Sequence, residues 1–430
     1  MNHRPRSCIA LGAPRALVTL LCLAACADED KAANPSGVAD SAGSADSAGS
    51  EVPSLEGLSS AGVMTFGEGG LLFLADPYGA KIVAIETGDT TAPANPAGTA
   101  YVESLDEEIA ALAGADPQDV VINDMAVNPA SQNIYFSVHI GRSQEPAVLL
   151  ARRLADSGTL ELVDLDGLDV SSVDLPGAPG FDDTLQYGQS LRTLTITDLS
   201  FYQDRLYVAG VSNEDFDSSL RVLPYPFTGE LEASTLEIYH ASHDGMETHA
   251  PIVTSLVHEI EGVPYLIAAY ACTPLVRIPL DEIVDGAHVV GETIAELGYG
   301  NAPVDMLEYQ APAMLGGGDH ILVTNTQRAA VTVSIEAVET GEPITTVADG
   351  PTGLDQSALP LTGALHTDLL NSRYTVVVKR NVQTGKLSLM SLFTGLFFEV
   401  SENTVEYNFP NVADSTTPST NPVDYGFEEP

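Results

Sequence analysis

Short apolar runs rich in β-forming residues recur along the chain, and each is turned back onto a second run by polar or glycine-containing residues. In order, the first members read LLFLAD from residue 71, IYFSVH from 134, LYVAGV from 206, YLIAAY from 265, ILVTNT from 321 and YTVVVK from 374. Their partners are KIVAIE, AVLLAR, SLRVLP, PLVRIP, AVTVSI and KLSLMS. Each pair has the pattern of a β-hairpin. A further apolar strand precedes most pairs: GVMTF (62), INDMAV (122), ITDLSF (196), VTSLV (253) and VDMLEY (304). LEIYH (236) and ETIAEL (292) read as fourth, outer strands.

Four strands per unit, repeated at roughly 50 to 70 residues, is the pattern of a β-propeller. The expected fold is therefore all-β, with six four-stranded blades. A degenerate seventh has room in residues 88–120, 166–192 or the C-terminal region. Regular strand spacing also suits a pair of β-sandwiches. Both faces of the strands are apolar because blades stack face to face. Phe73, Tyr135, Tyr207, Tyr265 and Tyr309 are expected to fill the layers between them. One short helical insertion interrupts the β pattern. SLDEEIAALAG (Ser104 to Gly114) offers a capping box of Ser104 and Glu107, an apolar stripe of Ile109 and Leu112, and Gly114 as its stop.

The two ends differ from this middle. Arg4, Arg6 and Arg15 precede a short apolar run, Ala16 to Leu23, which is about half the roughly 20 residues that span a bilayer. These are the parts of a secretion signal. After Cys26, DSAGSADSAGS (Asp40 to Ser50) has no apolar face and cannot offset the entropy of ordering. The expected organisation is a signal peptide at 1–25, Cys26 and a flexible tether at 26–54, the propeller at 55–401, and a loosely held Pro- and Thr-rich tail at 402–430. Cys8 and Cys22 fall in the leader, so Cys272 is the one cysteine of the folded part and no intramolecular disulfide is expected.

Charge narrows the partners. Sixty acids face 17 bases, a net charge of −43. Without the three leader arginines, 14 bases remain against 60 acids, or −46. Such a surface repels nucleic acid and anionic lipid, and favours cations and basic partners.

Candidate chemistry centres on an Asp that recurs at the inner strands: Asp124, Asp198 and Asp305, with His249, His366 and Asp368 at comparable places. Converging carboxylates and imidazoles could hold a divalent cation such as calcium. The competing role is structural, since Asp readily bonds backbone amides and sets register. HASHDGMETHAP (His240 to Pro251), with Asp244 and Glu247, is the most ligand-rich loop. It fits a metal site, a general base, or a solvated loop that screens acidic neighbours. Cys272 reads as a buried, inert thiol. Arg277 and Arg328, scarce bases within blades, are candidate clamps for a substrate carboxylate, or else partners of a blade Asp. No Gly-x-Ser-x-Gly, phosphate-cradling loop, dinucleotide fingerprint or Cys-x-x-Cys-His is present. The absence of Trp counts against a quinone-dependent propeller dehydrogenase.

Leu23-Ala24-Ala25-Cys26 resembles the lipobox of bacterial lipoproteins. The resemblance implies diacylglycerol on the Cys26 sulfur, cleavage before it, and acylation of the new N-terminus. Ala27 rather than Asp follows Cys26, which by the same resemblance implies export to the outer membrane, on its periplasmic or surface-facing side. The blade texture, LLFLADPYGAKIVAIE above all, is similar to lactonase-like and YVTN-type propellers. The Glu, two Asn and Asp that hold calcium in related lactonases are not matched residue by residue, so that activity is not carried over. Two functions are expected. The first is a lipid-anchored envelope propeller that binds a small molecule or protein at its axial face without catalysis, touching the membrane through its lipid alone. The alternative is a metal-dependent hydrolase or lyase at the channel mouth.

Overall fold

The computed structural model describes Leu55 and residues 57–397, apart from 96–97, 143–145, 185–189, 213–216, 299–300, 349 and 382–383. Cys26, the leader, the tether and the C-terminal tail lie outside the described residues.

Strands β1 (Met64–Phe66), β2 (Leu71–Asp76) and β3 (Lys81–Glu86) form a meander. A two-residue strand, β4 (Tyr101–Val102), then leads into helix α1 (Leu105–Ala113). The second meander is β5 (Val120–Val127), β6 (Ile134–Ile140), β7 (Ala147–Arg153) and β8 (Leu160–Leu162). After it, β9 (Asp169–Asp174) returns to the first sheet and pairs with β3. The third meander is β10 (Asp198–Tyr202), β11 (Arg205–Val211), β12 (Ser218–Pro224) and β13 (Glu232–His240), with β14 (Gly245–Glu247) folded back on β13. The fourth is β15 (Ile252–Ile260), β16 (Val263–Tyr270), β17 (Pro274–Pro279) and β18 (His288–Glu296). The fifth comprises β19 (Pro303–Gln310), β20 (Asp319–Asn325) and β21 (Val331–Ser334), followed by helix α2 (Ile335–Thr340). Next, β22 (Thr352–Gly353) joins β18, and β23 (Ser357–Ala358) completes the fifth sheet. Last come β24 (Ala364–Asn371), β25 (Tyr374–Arg380) and β26 (Leu387–Phe393), whose fourth strand is β4.

All six expected hairpins form, and the arrangement is all-β and propeller-like rather than a pair of sandwiches. The first strands of the meanders neighbour one another in a cycle: β1, β5, β24, β19, β15, β10 and back to β1. Apolar clusters fill the layers between facing meanders. Phe73, Tyr135, Tyr207 and Tyr309 are buried there as expected, whereas Tyr265 is half-buried.

The blade count needs correction. The described residues form four separate four-stranded sheets and one ten-stranded sheet, not six or seven separate blades. The cause is local. Outer strands β13 and β18 are nine residues each and pair in parallel, from Thr235 with His288 to Ile238 with Gly291. Gly291, at the last of these pairs, leaves β18 without a side chain where Val276 and Ile278 of its own meander crowd it: a Cβ there would lie 2.5 Å from Val276 Cγ1. Of the segments that had room for a seventh blade, 88–120 and 166–192 instead supply β4 and β9, fourth strands of other sheets. The cycle is also out of chain order. The second meander sits between the first and the last, so the chain passes the last sheet at β4 before building its second meander, and returns to the first at β9.

Helix α1 forms where expected, and Gly114 ends it at φ 65° with its N–H on the Ala110 carbonyl. The capping box does not form. Ser104 Oγ is 3.4 Å from Lys386 Nζ, and Glu107 pairs with the same ammonium at 3.0 Å. One cation on the neighbouring sheet thus takes both halves of the box. The buried stripe is Leu105, Ile109 and Ala110, while Leu112 is exposed. Helix α2 was not foreseen. Among the described residues, no helix is long and apolar enough to cross a membrane.

Candidate functional site

Four inner strands slip register by one residue near their start: between Ile122 and Asp124, Ile252 and Thr254, Pro303 and Asp305, and Ala364 and His366. A bulge bends a strand and re-aims the side chain that follows it. The re-aimed residues include Asp124, Asp305 and His366, three of the residues singled out in the sequence.

The carboxylates reach across to the next inner strand. Asp124 Oδ2 accepts the Met64 N–H of β1 at 2.6 Å. Asp305 Oδ2 accepts the Thr367 N–H of β24 at 2.7 Å, and Asp368 Oδ2 accepts the Val127 N–H of β5 at 2.7 Å. Asp198 Oδ2 accepts the hydroxyl of Ser255 on β15 at 2.5 Å. The second oxygens of Asp305 and Asp368 accept the N–H of Met306 and Leu369, at 2.8 and 2.6 Å. His366 places Nδ1 3.5 Å from Asp124 Oδ1 and Nε2 3.2 Å from the Ile122 carbonyl. Four seams of the ring are therefore bridged by an aspartate.

These groups are walled in by protein yet keep a little contact with water, 16% for the His366 side chain and 15% for Asp124. Burial pushes Asp305 up to about 7, helped by the Asp124 charge and opposed by the N–H of Thr367. Burial likewise pushes Asp368 up to about 7. Asp198 is held well above the ordinary carboxylate range, by burial first and then by Asp305 and Asp124. For His366, burial opposes protonation, but Asp124 and Asp305 outweigh it and the pKa is raised.

The other residues singled out lie elsewhere. His249 is largely exposed on the stretch before β15, with Nδ1 3.3 Å from Asp217. Arg277 donates to Glu292 at 2.7 and 3.0 Å and to the Val338 and Glu339 carbonyls at 2.9 Å, closing the end of α2. Arg328 packs against Gly298.

A second constellation gathers where β13, β14, β16 and β18 end. His240, almost fully buried, has Nδ1 2.5 Å from Glu247 Oε2, and His243 Nδ1 is 3.4 Å from the same oxygen. The two imidazoles lie 3.9 Å apart. Beside them is Cys272, in the turn between β16 and β17, with φ 84°. The left-handed region costs a residue with a Cβ roughly 1–2 kcal/mol, so the surrounding turn imposes it. Cys272 is half-buried, not the sequestered thiol expected. Fully buried Glu296 accepts the Ala241 N–H at 2.8 Å, the Ser242 hydroxyl at 3.3 Å and the Thr273 hydroxyl. Burial works against an imidazolium at His240, but Cys272, Glu247 and Glu296 outweigh it and raise its pKa to about 9. Glu247 is lowered, because the two histidines overcome the effect of its burial. The histidine loop was visible in the sequence. Glu296, Thr273 and the approach of Cys272 were not, because only strand pairing brings residues 240, 272 and 296 together.

No protein-family model matches the sequence, and no curated protein matches it. Among solved structures, the chain is similar to virginiamycin B lyase from Staphylococcus aureus, at 8% identity and a TM-score of 0.34, over 79% of this chain and 98% of that one. It is also similar to the PQQ-bound aldose sugar dehydrogenase from Streptomyces coelicolor, at 11% identity and a TM-score of 0.31, over 80% and 96% of the two chains. A third similarity is to Sqt1 from Chaetomium thermophilum, at 10% identity and a TM-score of 0.28, over 77% and 80%.

The axial ring makes stability depend on pH. Asp305 and Asp368 hold protons up to about 7 in the folded chain but release them near the ordinary value of 3.8 when unfolded. Their contribution is therefore full below about 4 and is lost as pH rises to about 7. His366, raised from 6.5, loses its contribution as pH rises through its folded value, in the same direction. The thermal midpoint should fall from about pH 5 to about pH 8, and that slope should flatten in an Asp305→Asn, Asp368→Asn double variant. Melting curves at several pH values check this; an unchanged slope in the double variant contradicts it.

Proposed function

We propose that this chain is a lipid-anchored cell-envelope β-propeller, held at the outer membrane by Cys26, that binds a ligand or protein partner at its axial face and does no chemistry there. One observation carries the non-catalytic part. The axial carboxylates are engaged by amides and a hydroxyl of neighbouring strands, so the oxygens a hard cation would need are already accepting hydrogen bonds. This favours a scaffold over a metal-dependent hydrolase at the channel mouth. The lipobox-like Leu23 to Cys26 and the apolar stretch before it support the anchor. Several acyl chains would hold the chain firmly, since each buried CH₂ adds about 0.8 kcal/mol. The acidic surface directs the axial face toward basic or cationic partners.

Two measurements on the full chain test this. Cys26→Ser should move the protein out of the detergent-extracted membrane fraction; normal membrane partition of that variant contradicts the anchor. Asp124→Asn with Asp305→Asn should lower unfolding stability by about 2–5 kcal/mol and leave metal content unchanged. Loss of one equivalent of metal at unchanged stability would place a metal centre on the axis instead.

A further inference from the structure

We propose that His240, His243 and Cys272 form a binding site for a borderline-soft divalent transition metal, zinc foremost, at the ends of β13, β16 and β18. This goes beyond the axial reading and does not rest on it. One ligand atom from each of the three side chains lies within 4.8 Å of the other two. Ligand atoms around a tetrahedral zinc, at ~2.0–2.3 Å from the ion, stand roughly 3.4–3.6 Å apart, so the three need close by only about 1 Å. Two imidazoles and a thiolate select zinc, cobalt or copper and reject calcium and magnesium, which take oxygen.

The surroundings are built as a metal's outer layer is built. Glu247 stands at the Nδ1 of both rings, at 2.5 and 3.4 Å, where a carboxylate fixes the tautomer and the ring orientation of a ligating histidine, while His240 Nε2 meets the Thr273 hydroxyl at 3.2 Å, a contact that metal binding replaces. Glu296, fully buried, ties the loop that carries His243 to the turn that carries Cys272, through Ala241, Ser242 and Thr273. That turn holds Cys272 at φ 84°, a conformation the residue would not choose, and so aims its side chain at the histidines. A Cys–His–Glu set alone would also suit a nucleophile and its base. The second imidazole decides between them, because a nucleophile has no use for a third donor atom and a metal does. His243 is the exposed member, at 37%, and leaves the open side by which an ion enters.

Cobalt(II), added to the full-length protein in detergent after chelator treatment, tests the site. The expected result is one bound equivalent with a thiolate-to-cobalt charge-transfer band, displaced by one equivalent of zinc. Cys272→Ser should abolish the band. His243→Ala, a change at an exposed position, should keep the native far-ultraviolet circular dichroism and weaken binding at least about tenfold. Glu247→Gln should weaken it by about 10- to 100-fold. Absence of the band in the wild-type chain overturns the proposal. So does a band undiminished by Cys272→Ser, which would belong to Cys8, Cys22 or Cys26, or affinity unchanged by His243→Ala. Asp305→Asn should leave the band intact, so failure here and failure of the axial reading are told apart.

Discussion

An aspartate that accepts a hydrogen bond from the next inner strand is the interaction on which this ring depends. Strands within one meander are joined by backbone ladders, but apart from the β13–β18 join neighbouring meanders meet face to face through side chains. Apolar packing between them is strong yet non-directional, and does not by itself fix how far one sheet slides along the next. Asp124, Asp198, Asp305 and Asp368 supply direction at four seams. A hydrogen bond contributes about 0.5–1.5 kcal/mol, and removing it also leaves an inner-strand amide or hydroxyl without its partner. Placing carboxylates so close together in a walled-in ring disfavours their charged forms. The same groups that set register therefore tie the fold to pH.

Closure of the cycle has a second component in the backbone. The chain lends β4 to the last sheet, where Val102 pairs with Leu389, and later returns β9 to the first, where Val173 pairs with Ile82. Residues from the two ends of the propeller region thus share one ladder, and the second meander is held between sheets whose edges were laid down before and after it. Contacts so distant in sequence also imply slow folding.

Much of this was legible in the chain. The hairpins were readable because apolar β-formers and turn residues act locally, and Gly114 was readable because only a left-handed cap ends α1 there. The recurring Asp was visible, together with its structural alternative. Its acceptors were not, since Met64, Val127 and Thr367 are amides like any others until the strands are placed. Ser104 and Glu107 matched a capping box, yet Lys386, more than 270 residues on, takes both. The union of β13 and β18 is a parallel pairing between two meanders that no periodicity reports. Cys272 looked inert because no base or cation stands beside it in sequence, whereas its neighbours in space are two histidines.

The structure thus separates two kinds of polar chemistry. Along the axis, carboxylates are committed to backbone and hydroxyl donors and act as fasteners. At the ends of β13, β16 and β18, soft ligands converge on one another. The central claim concerns the first kind, and amide hydrogen exchange tests it most directly. The Thr367 amide, which faces Asp305, should exchange only through global unfolding in the native chain, and in Asp305→Ala it should exchange selectively faster than amides within the β24–β25 ladder. A Thr367 amide that exchanges at the same rate with and without the Asp305 carboxylate would contradict the account.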